Sequence, residues 1–258
     1  MKFAIELSNV QAGMDAESWQ VDFTLAVKPG EFMLLVGPGR SGKGLLLKLC
    51  VGLVMPEQGT VRVLDQDLAA LDDEGLAELR RRIGVVLQQP GLRSNMTLYT
   101  NVCLPLVYHQ GIDEEELRPR VMPILEALGL TALEKRFPAQ LTAGEARCAA
   151  LARALVMDQE LLLLDEVMAG LDAEMVERVD RVLTEHRRTH AVTVLATLHN
   201  PSPLLDRADR IAFVRQGRIE AVGPYGELAK NADPALQVYL GSGLGSGLGG
   251  RPGSRLAS

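Results

Sequence analysis

A glycine-rich loop between an apolar segment and a leucine-rich segment is the feature that most constrains the fold of this chain. The loop reads Gly37-Pro38-Gly39-Arg40-Ser41-Gly42-Lys43-Gly44. Residues 32–36 before it are all apolar and predict a buried strand, and residues 45–49 after it predict a helix. Strand, loop and helix in this order are the context of a phosphate-binding loop, whose pattern is G-x-x-x-x-G-K followed by Ser or Thr. The sequence therefore predicts an α/β protein that binds a nucleoside triphosphate.

The last position of this phosphate loop (residues 37–44) departs from the pattern. In such a loop the backbone N–H groups form a nest for phosphate oxygens, and Lys43 is expected to reach the β- and γ-phosphates. The usual Ser or Thr hydroxyl ligates Mg²⁺, but Gly44 has no side chain. Because Mg²⁺ readily keeps water ligands, we expect weaker placement of the metal rather than loss of nucleotide binding.

The composition limits the class of protein. The chain has 258 residues, of which 47% are hydrophobic, and it carries a net charge of −6, which is typical of a folded globular protein and argues against a nucleic-acid partner. No apolar run reaches the roughly 18 residues needed to span a bilayer, and no charged-then-apolar leader opens the chain. Cys50, Cys103 and Cys148 lack metal-ligand spacing, and we expect them to be reduced thiols.

Strand and helix patterns alternate along the chain and predict a largely parallel sheet. Between them, residues 91–158 are mainly helical in pattern and predict a helical subdomain inserted in one domain of residues 1–240. Residues 241–258 are rich in Gly and Ser and predict a flexible tail. The sequence predicts strands at 21–27, 32–36, 59–64, 83–87, 161–164, 191–197, 210–214 and 218–222, and helices at 45–49, 73–82, 101–109, 113–128, 144–157 and 172–188. Asp172 is expected to cap the last of these helices, and the last two strands are expected to pair around Gln216-Gly217.

Two carboxylates follow another apolar strand, at residues 161–164. Asp165 and Glu166 are expected at the carboxyl end of that strand, which is where α/β sheets place their ligands. Asp165 is suited to hold Mg²⁺, directly or through water. Glu166 is suited to act as a general base on an attacking water molecule.

With these motifs in order, residues 3–240 resemble an ABC-type ATPase. The signature segment (residues 141–145) reads Leu141-Thr142-Ala143-Gly144-Glu145 and stands where that family has L-S-G-G-Q. Gln88 matches the family's Q-loop glutamine, Asp172 ends a segment similar to the D-loop, and His199 is similar to the switch histidine.

The resemblance implies a P-loop NTPase core with an antiparallel N-terminal β region and ATP and Mg²⁺ as cofactors. It implies catalytic roles for Glu166, His199 and Gln88, with Gln88 also at the metal beside Asp165. It further implies a head-to-tail dimer in which ATP lies between the phosphate loop of one subunit and Thr142, Ala143, Gly144 and Glu145 of the other. The resemblance also places Asp172 among the residues that bind the nucleotide. The partners would be a second ATP-binding subunit, in a homodimer or a heterodimer, and an integral-membrane permease, with the protein on the cytoplasmic face of the cell membrane.

Several residues differ from the family pattern close to the chemistry. Ala143 and Glu145 replace the usual Gly and Gln, Val167 replaces Pro, and Leu198 precedes the histidine. The aromatic ring that usually stacks on adenine is not evident, and the residues nearest its position are Met14 and Trp19. These changes leave three alternatives open: a slow ATPase, a subunit that works beside an intact partner, or a scaffold that binds nucleotide without hydrolysing it.

The type of transporter is suggested by residues 95–106, at the start of the helical insertion. Their sequence pattern, together with residues 146–154 after the signature segment, is most similar to the ATPases of MCE-linked (Mla-type) phospholipid transporters, which would add an MCE-domain protein to the partners. Amino-acid importers and the small lipoprotein-releasing or division-linked ATPases share much of it. A soluble ABC protein without a permease is a further alternative, although such proteins usually carry two fused cassettes.

Overall fold

The computed structural model describes residues 2–13 and 20–241. Within them, ten strands lie in one sheet, in the order β5-β4-β1-β2-β10-β9-β3-β8-β7-β6. The strands are β1 (Ile5–Gly13), β2 (Gln20–Val27), β3 (Phe32–Val36), β4 (Gln58–Val63), β5 (Gln66–Asp67), β6 (Ile83–Val86), β7 (Leu161–Leu164), β8 (Thr193–Leu198), β9 (Arg210–Arg215) and β10 (Arg218–Gly223). The helices are α1 (Lys43–Cys50), α2 (Asp73–Arg81), α3 (Leu98–Gln110), α4 (Glu114–Ala127), α5 (Ala143–Leu155), α6 (Ala173–His190), α7 (Tyr225–Leu228) and α8 (Pro234–Leu240).

The sheet has an antiparallel part and a parallel part. Strands β1, β2, β4 and β5 pair antiparallel, whereas β9, β3, β8, β7 and β6 run parallel to one another. This arrangement confirms the predicted fold class. The carboxyl ends of the parallel strands share one edge, where the predicted site residues follow them.

Strand β3 is apolar throughout because both of its faces are covered. Phe32, Leu34 and Val36 belong to one hydrophobic cluster with the helical insertion and α6, and Met33 and Leu35 belong to a second cluster with α1 and the antiparallel strands. All five residues are buried. A strand covered on both faces loses the polar alternation of a half-exposed strand, which is why its sequence predicted burial so clearly.

Helices α3, α4 and α5 lie in sequence between β6 and β7, which are neighbours in the sheet. Helix α3 begins at Leu98, three residues before its predicted start, because Thr97 caps it by accepting a hydrogen bond from the Thr100 amide at 3.2 Å. Pro105 lies inside this helix. The first turn is fixed by the fully buried side chain of Asn101, which bonds the main chain at Arg93, Met96 and Thr97.

Other boundaries follow the sequence closely. Helix α2 is capped by Asp72, and the hairpin β9–β10 turns at Gln216 and Gly217, both at positive φ. Met14 and Trp19, which are nearest the position of the adenine-stacking ring, lie outside the described residues, as does the predicted tail beyond Gly241.

Candidate functional site

Four neighbouring parallel strands bring the predicted catalytic residues to one edge of the sheet. The phosphate loop follows β3, His199 follows β8, Asp165 and Glu166 follow β7, and Gln88 follows β6. The order β3-β8-β7-β6 makes these segments adjacent, although more than 150 residues separate Lys43 from His199. The side chain of Gln88 is exposed, and its carbonyl oxygen accepts a hydrogen bond from Arg147.

Two glycines of the phosphate loop are required by the backbone. Gly37 has φ 146° and Gly42 has φ 105°, which is the left-handed side that favours glycine. A side chain at residue 37 would also overlap the carbonyl oxygen of Val214 in β9. The loop is therefore held against the sheet at its first residue, and it turns into α1 directly after Gly42.

Lys43 is buried at the centre of the loop. Its Nζ donates to the carbonyl oxygens of Gly37 at 2.6 Å and Pro38 at 2.8 Å, and it lies 3.3 Å from Ser41 Oγ and 3.4 Å from His199 Nδ1. Burial lowers the pKa of Lys43 to about 8, and the nearby carboxylates of Glu166 and Asp165 partly oppose this shift. The ammonium is thus pre-positioned in the loop, at an energetic cost that a phosphate anion would relieve.

The two carboxylates after β7 differ in their surroundings. Asp165 is buried and its Oδ1 accepts a hydrogen bond from Thr197 Oγ1 at 2.7 Å. Glu166 has φ 53°, an uncommon value for a residue other than glycine, and its carboxylate contacts His199 Nε2. The structure therefore joins Lys43, His199 and Glu166 in one chain of polar contacts.

The donors at this edge fit Mg²⁺ held together with a phosphate, but not a metal held by protein alone. Among residues 2–13 and 20–241, no cluster of three or more His, Cys, Asp or Glu side chains could hold a metal ion. A methyl group at Gly44 would lie 3.1 Å from Asp165 Oδ2, so that this carboxylate oxygen faces the first turn of α1. Mg²⁺ is commonly bound by one or two carboxylates together with phosphates and water, which matches a single facing carboxylate.

The signature segment begins α5, and its contacts are with its own helix and with the segment before α6. Thr142 Oγ1 accepts from the Glu145 amide at 3.2 Å, and the Glu145 carboxylate accepts from the Thr142 amide at 2.7 Å, which is a capping box. A methyl group at Gly144 would lie 3.0 Å from the Gly170 carbonyl oxygen, and Ala143 is exposed. Glu145 therefore stabilises the start of its own helix.

Asp172 and two arginines of α5 form hydrogen bonds with the main chain of neighbouring segments. Asp172 caps α6 by accepting from the Met175 amide at 2.8 Å, which confirms its predicted capping role. Arg147 donates to the carbonyl oxygens of Glu166 at 3.0 Å and of Gln88 at 3.4 Å. Arg153 donates to the Gly91 and Pro90 carbonyl oxygens, each at 2.8 Å. Sequence reasoning did not single out either arginine, because an arginine in an Ala-rich helix carries no signal of its partners.

Comparison with known proteins shows which family this chain belongs to. The family described as ABC transporter matches residues 21–169, which is more than half of the chain. The chain belongs to the ABC transporter family. The match covers the phosphate loop, the signature segment and both carboxylates, so that the predicted resemblance is confirmed at the level of the family.

Curated relatives of this family come from several bacteria. The chain is 34% identical over 237 residues to the methionine import ATP-binding protein MetN of Cereibacter sphaeroides, covering 92% of this chain and 67% of that protein. It is 36% identical to the sulfate/thiosulfate import ATP-binding protein CysA of Mesorhizobium japonicum, covering 85% and 63%. It is 30% identical to the probable ribonucleotide transport ATP-binding protein mkl of Mycobacterium leprae, covering 93% and 69%. The chain thus spans about two thirds of the length of these relatives.

Solved structures of ATP-binding cassettes share the fold. The dimeric structure of MJ0796, a bacterial ABC transporter cassette, superposes with a TM-score of 0.79 at 29% identity, covering 85% of this chain and 98% of that one. A post-hydrolysis state of the same cassette, bound to ADP and Pi, gives 0.78 at 28% identity. In the described part of this chain, none of the helices is both long and apolar enough to cross a bilayer.

Proposed function

We propose that this chain is the ATP-binding subunit of an ABC transporter and couples ATP binding and hydrolysis to transport across a membrane. The observation that carries the proposal is the convergence of Lys43, Asp165, Glu166 and His199 at one edge of the sheet, behind a phosphate loop with the backbone geometry for an anion. Family membership and the nucleotide-bound cassette of similar fold support it.

Each residue then has a task that its environment supports. The loop amides and Lys43 bind the β- and γ-phosphates, since the amide nest and the ammonium both favour anions. His199 contacts Glu166 and Lys43 together, so it can orient the carboxylate that takes a proton from the attacking water. Asp165 would hold Mg²⁺ with Gln88 close by, and the metal, when bound, supplies positive charge that stabilises the phosphates during transfer.

We propose that the working unit is a dimer with a second ATP-binding subunit. In the described residues, Thr142, Gly144 and Glu145 contact their own helix or the segment that begins α6, not the phosphate loop. Their helix presents its amino terminus, which favours anions. These observations, and the dimeric cassettes of similar fold, support a nucleotide shared with the phosphate loop of another subunit.

The other partner in this proposal is an integral-membrane permease, with this chain peripheral at the cytoplasmic face of the cell membrane. A cleft of about 150 Å³ lies between α2, β6, α3 and α5, and three cationic side chains line it beside His109: Arg80, Arg81 and Arg153. Those charges suit a permease segment with an acidic side chain. Docking there would place the permease beside Pro90 and Gly91, which Arg153 bonds.

The identity of the transported molecule is the most specific part of the proposal. The sequence pattern of residues 95–106 favours phospholipid transport through an MCE-type complex. The relatives described above are named for methionine, sulfate or thiosulfate, and ribonucleotides, and a nutrient importer is therefore the competing assignment. Co-purification of the native complex decides between them, because the permease that is recovered identifies the class. Recovery of an importer permease without an MCE-domain protein would end the lipid assignment.

A subunit that binds nucleotide without hydrolysing it is the second candidate function, favoured by Gly44 and by Ala143 in the signature segment. Phosphate release from the purified complex separates the two. We expect Glu166→Gln to reduce release by at least about a hundredfold, as is typical for loss of a general base. Glu115→Gln, a change at an exposed glutamate of α4, is the matched control and should release phosphate at the wild-type rate. Equal background rates for wild type and Glu166→Gln would establish the second candidate.

A further inference from the structure

Asp165 is held between two chain segments that approach it from opposite sides. Its Oδ1 accepts a hydrogen bond from Thr197 Oγ1 in β8, at 2.7 Å. Its Oδ2 faces Gly44, where a methyl group would lie 3.1 Å away. The phosphate-loop pattern places a hydroxyl at residue 44, and this chain lacks it. A different hydroxyl, from another strand, bonds the same carboxylate.

The hydroxyl of Thr197 is oriented without ambiguity. It accepts a hydrogen bond from the Glu166 amide at 2.9 Å. Because an amide N–H can only donate, the hydroxyl proton is left for the Asp165 carboxylate, which can only accept while it is ionised. One side chain therefore fixes both the carboxylate of Asp165 and the main chain of Glu166.

Thr197 is out of place in its strand unless it has such a task. It is fully buried, and its strand neighbours Leu195, Ala196 and Leu198 are apolar and buried as well. A hydroxyl in such a position is costly unless it is hydrogen-bonded. Valine has nearly the same shape and would fill this space without that cost, so the hydroxyl must be explained by its two partners.

We propose that Thr197 is a positioning residue that orients Asp165 for Mg²⁺ from strand β8, and so offsets the hydroxyl ligand that the phosphate loop lacks at Gly44. The proposal rests on the proposed function, since it presumes that Asp165 meets the metal of a bound nucleotide. It explains how Gly44 is accommodated: α1 offers one metal ligand fewer, and β8 holds the remaining carboxylate in place.

The geometry also predicts that two hydroxyls at this carboxylate interfere. A Cβ at residue 44 lies closer to Asp165 Oδ2 than ordinary contact distance allows, so Gly44→Ser must push the carboxylate by a few tenths of an ångström. That displacement disturbs the hydrogen bond from Thr197 Oγ1 to Asp165 Oδ1. We therefore expect Gly44→Ser alone to bring no gain in metal binding, but to restore it when the hydroxyl of Thr197 is absent.

A mutant cycle on the full chain tests this. The variants are Thr197→Val, Gly44→Ser, the double variant Gly44→Ser/Thr197→Val, and Thr197→Ser, which keeps the hydroxyl. ATP affinity is measured first in EDTA and then as a function of Mg²⁺ concentration, with melting temperature as a check on folding. Gly44→Ala/Thr197→Val is the matched control, because it adds the methyl group without the hydroxyl.

We expect the metal-free ATP affinities of wild type, Thr197→Val and Thr197→Ser to agree within about twofold, because Thr197 contacts Asp165 and the Glu166 main chain and not the phosphate loop. For the variants at Gly44, the effect of Mg²⁺ is compared with the metal-free affinity of the same variant. Thr197→Val should raise the half-saturating Mg²⁺ concentration about tenfold, the loss of one hydrogen bond to a charged group. Thr197→Ser and the serine double variant should stay within about threefold of wild type, and the alanine double variant should not recover.

The outcomes separate the two proposals. If wild type binds ATP and Thr197→Val leaves the Mg²⁺ dependence unchanged, the role of Thr197 is wrong and the proposed function stands. The same holds if the serine and alanine double variants behave alike, a comparison that remains decisive when Thr197→Val alone does not fold. If wild type itself binds no ATP, both proposals fail.

Discussion

The affinity of this protein for nucleotide should fall as the pH rises through the pKa of Lys43. Burial lowers that pKa to about 8 in the free protein. Bound phosphates favour the ammonium form, so binding raises the pKa again, and above about pH 8 the complex forms only with uptake of a proton. Stabilisation by Lys43 is therefore complete below its free pKa and is lost above it.

The size of the effect follows from the fraction of protein that carries the ammonium. With a pKa of about 8, that fraction is about 90% at pH 7 and about 10% at pH 9, so the apparent Kd should rise about tenfold, or about 1.4 kcal/mol. A lysine at its ordinary pKa would stay charged over this range and give almost no change. The second ionisation of a phosphate group lies near about pH 6 and contributes little here.

Titration calorimetry with ATP in EDTA measures this directly, in two buffers that differ in ionisation enthalpy. We expect a proton uptake approaching about one per nucleotide above pH 8. Lys43→Arg is the control, because a guanidinium remains charged throughout, and its Kd should not depend on pH. A wild-type Kd that is flat across this range, with no proton uptake, would refute the assignment of a lowered pKa to Lys43.

Three further changes test other parts of the molecule. Gly37→Ala should abolish ATP binding and lower the melting temperature, because its methyl group would overlap strand β9; Gly226→Ala, where nothing lies within 4 Å, should do neither. Asp172→Ala should lower the free energy of unfolding by about 1 kcal/mol in a urea titration, whereas Asp172→Asn should keep most of it; equal losses would argue against the cap. Arg81→Glu should weaken recovery of the permease with this subunit without changing ATP binding. Arg218→Glu, outside the cleft, should change neither permease recovery nor ATP binding. If Arg81→Glu leaves permease recovery unaffected, the permease does not dock at this cleft.

Local signals made much of the fold predictable. The five buried residues of β3 form an unbroken apolar run because two layers cover the strand. The aspartate at 172 was predicted to cap α6 and does so, because capping depends on residues only a few positions apart. The turn at Gln216 and Gly217 is equally local. In each case the physical cause lies within a few residues, and the sequence displays it.

Long-range contacts escaped prediction. Nothing in the residues around Thr197 shows that its hydroxyl meets Asp165, 32 positions earlier in the chain; the only hint is a polar residue between apolar neighbours. The bonds from Arg147 to Gln88 and Glu166 depend on how α5 packs across two loops. Helix α3 begins three residues before its predicted start, because Thr97 caps it and Asn101 bonds the main chain at Met96 and Thr97.

The position of β3 has a consequence for how the protein is made. This strand leaves the ribosome more than 150 residues before both of its partners in the sheet, β8 and β9. Until they are synthesised, its apolar residues have no neighbouring strand on either side, and such segments are prone to aggregation. Nucleotide cannot protect a nascent chain at this stage, because Asp165 and His199 do not yet exist. The unfinished protein must depend on chaperones or on fast completion, and only the finished one can be rescued by its ligand.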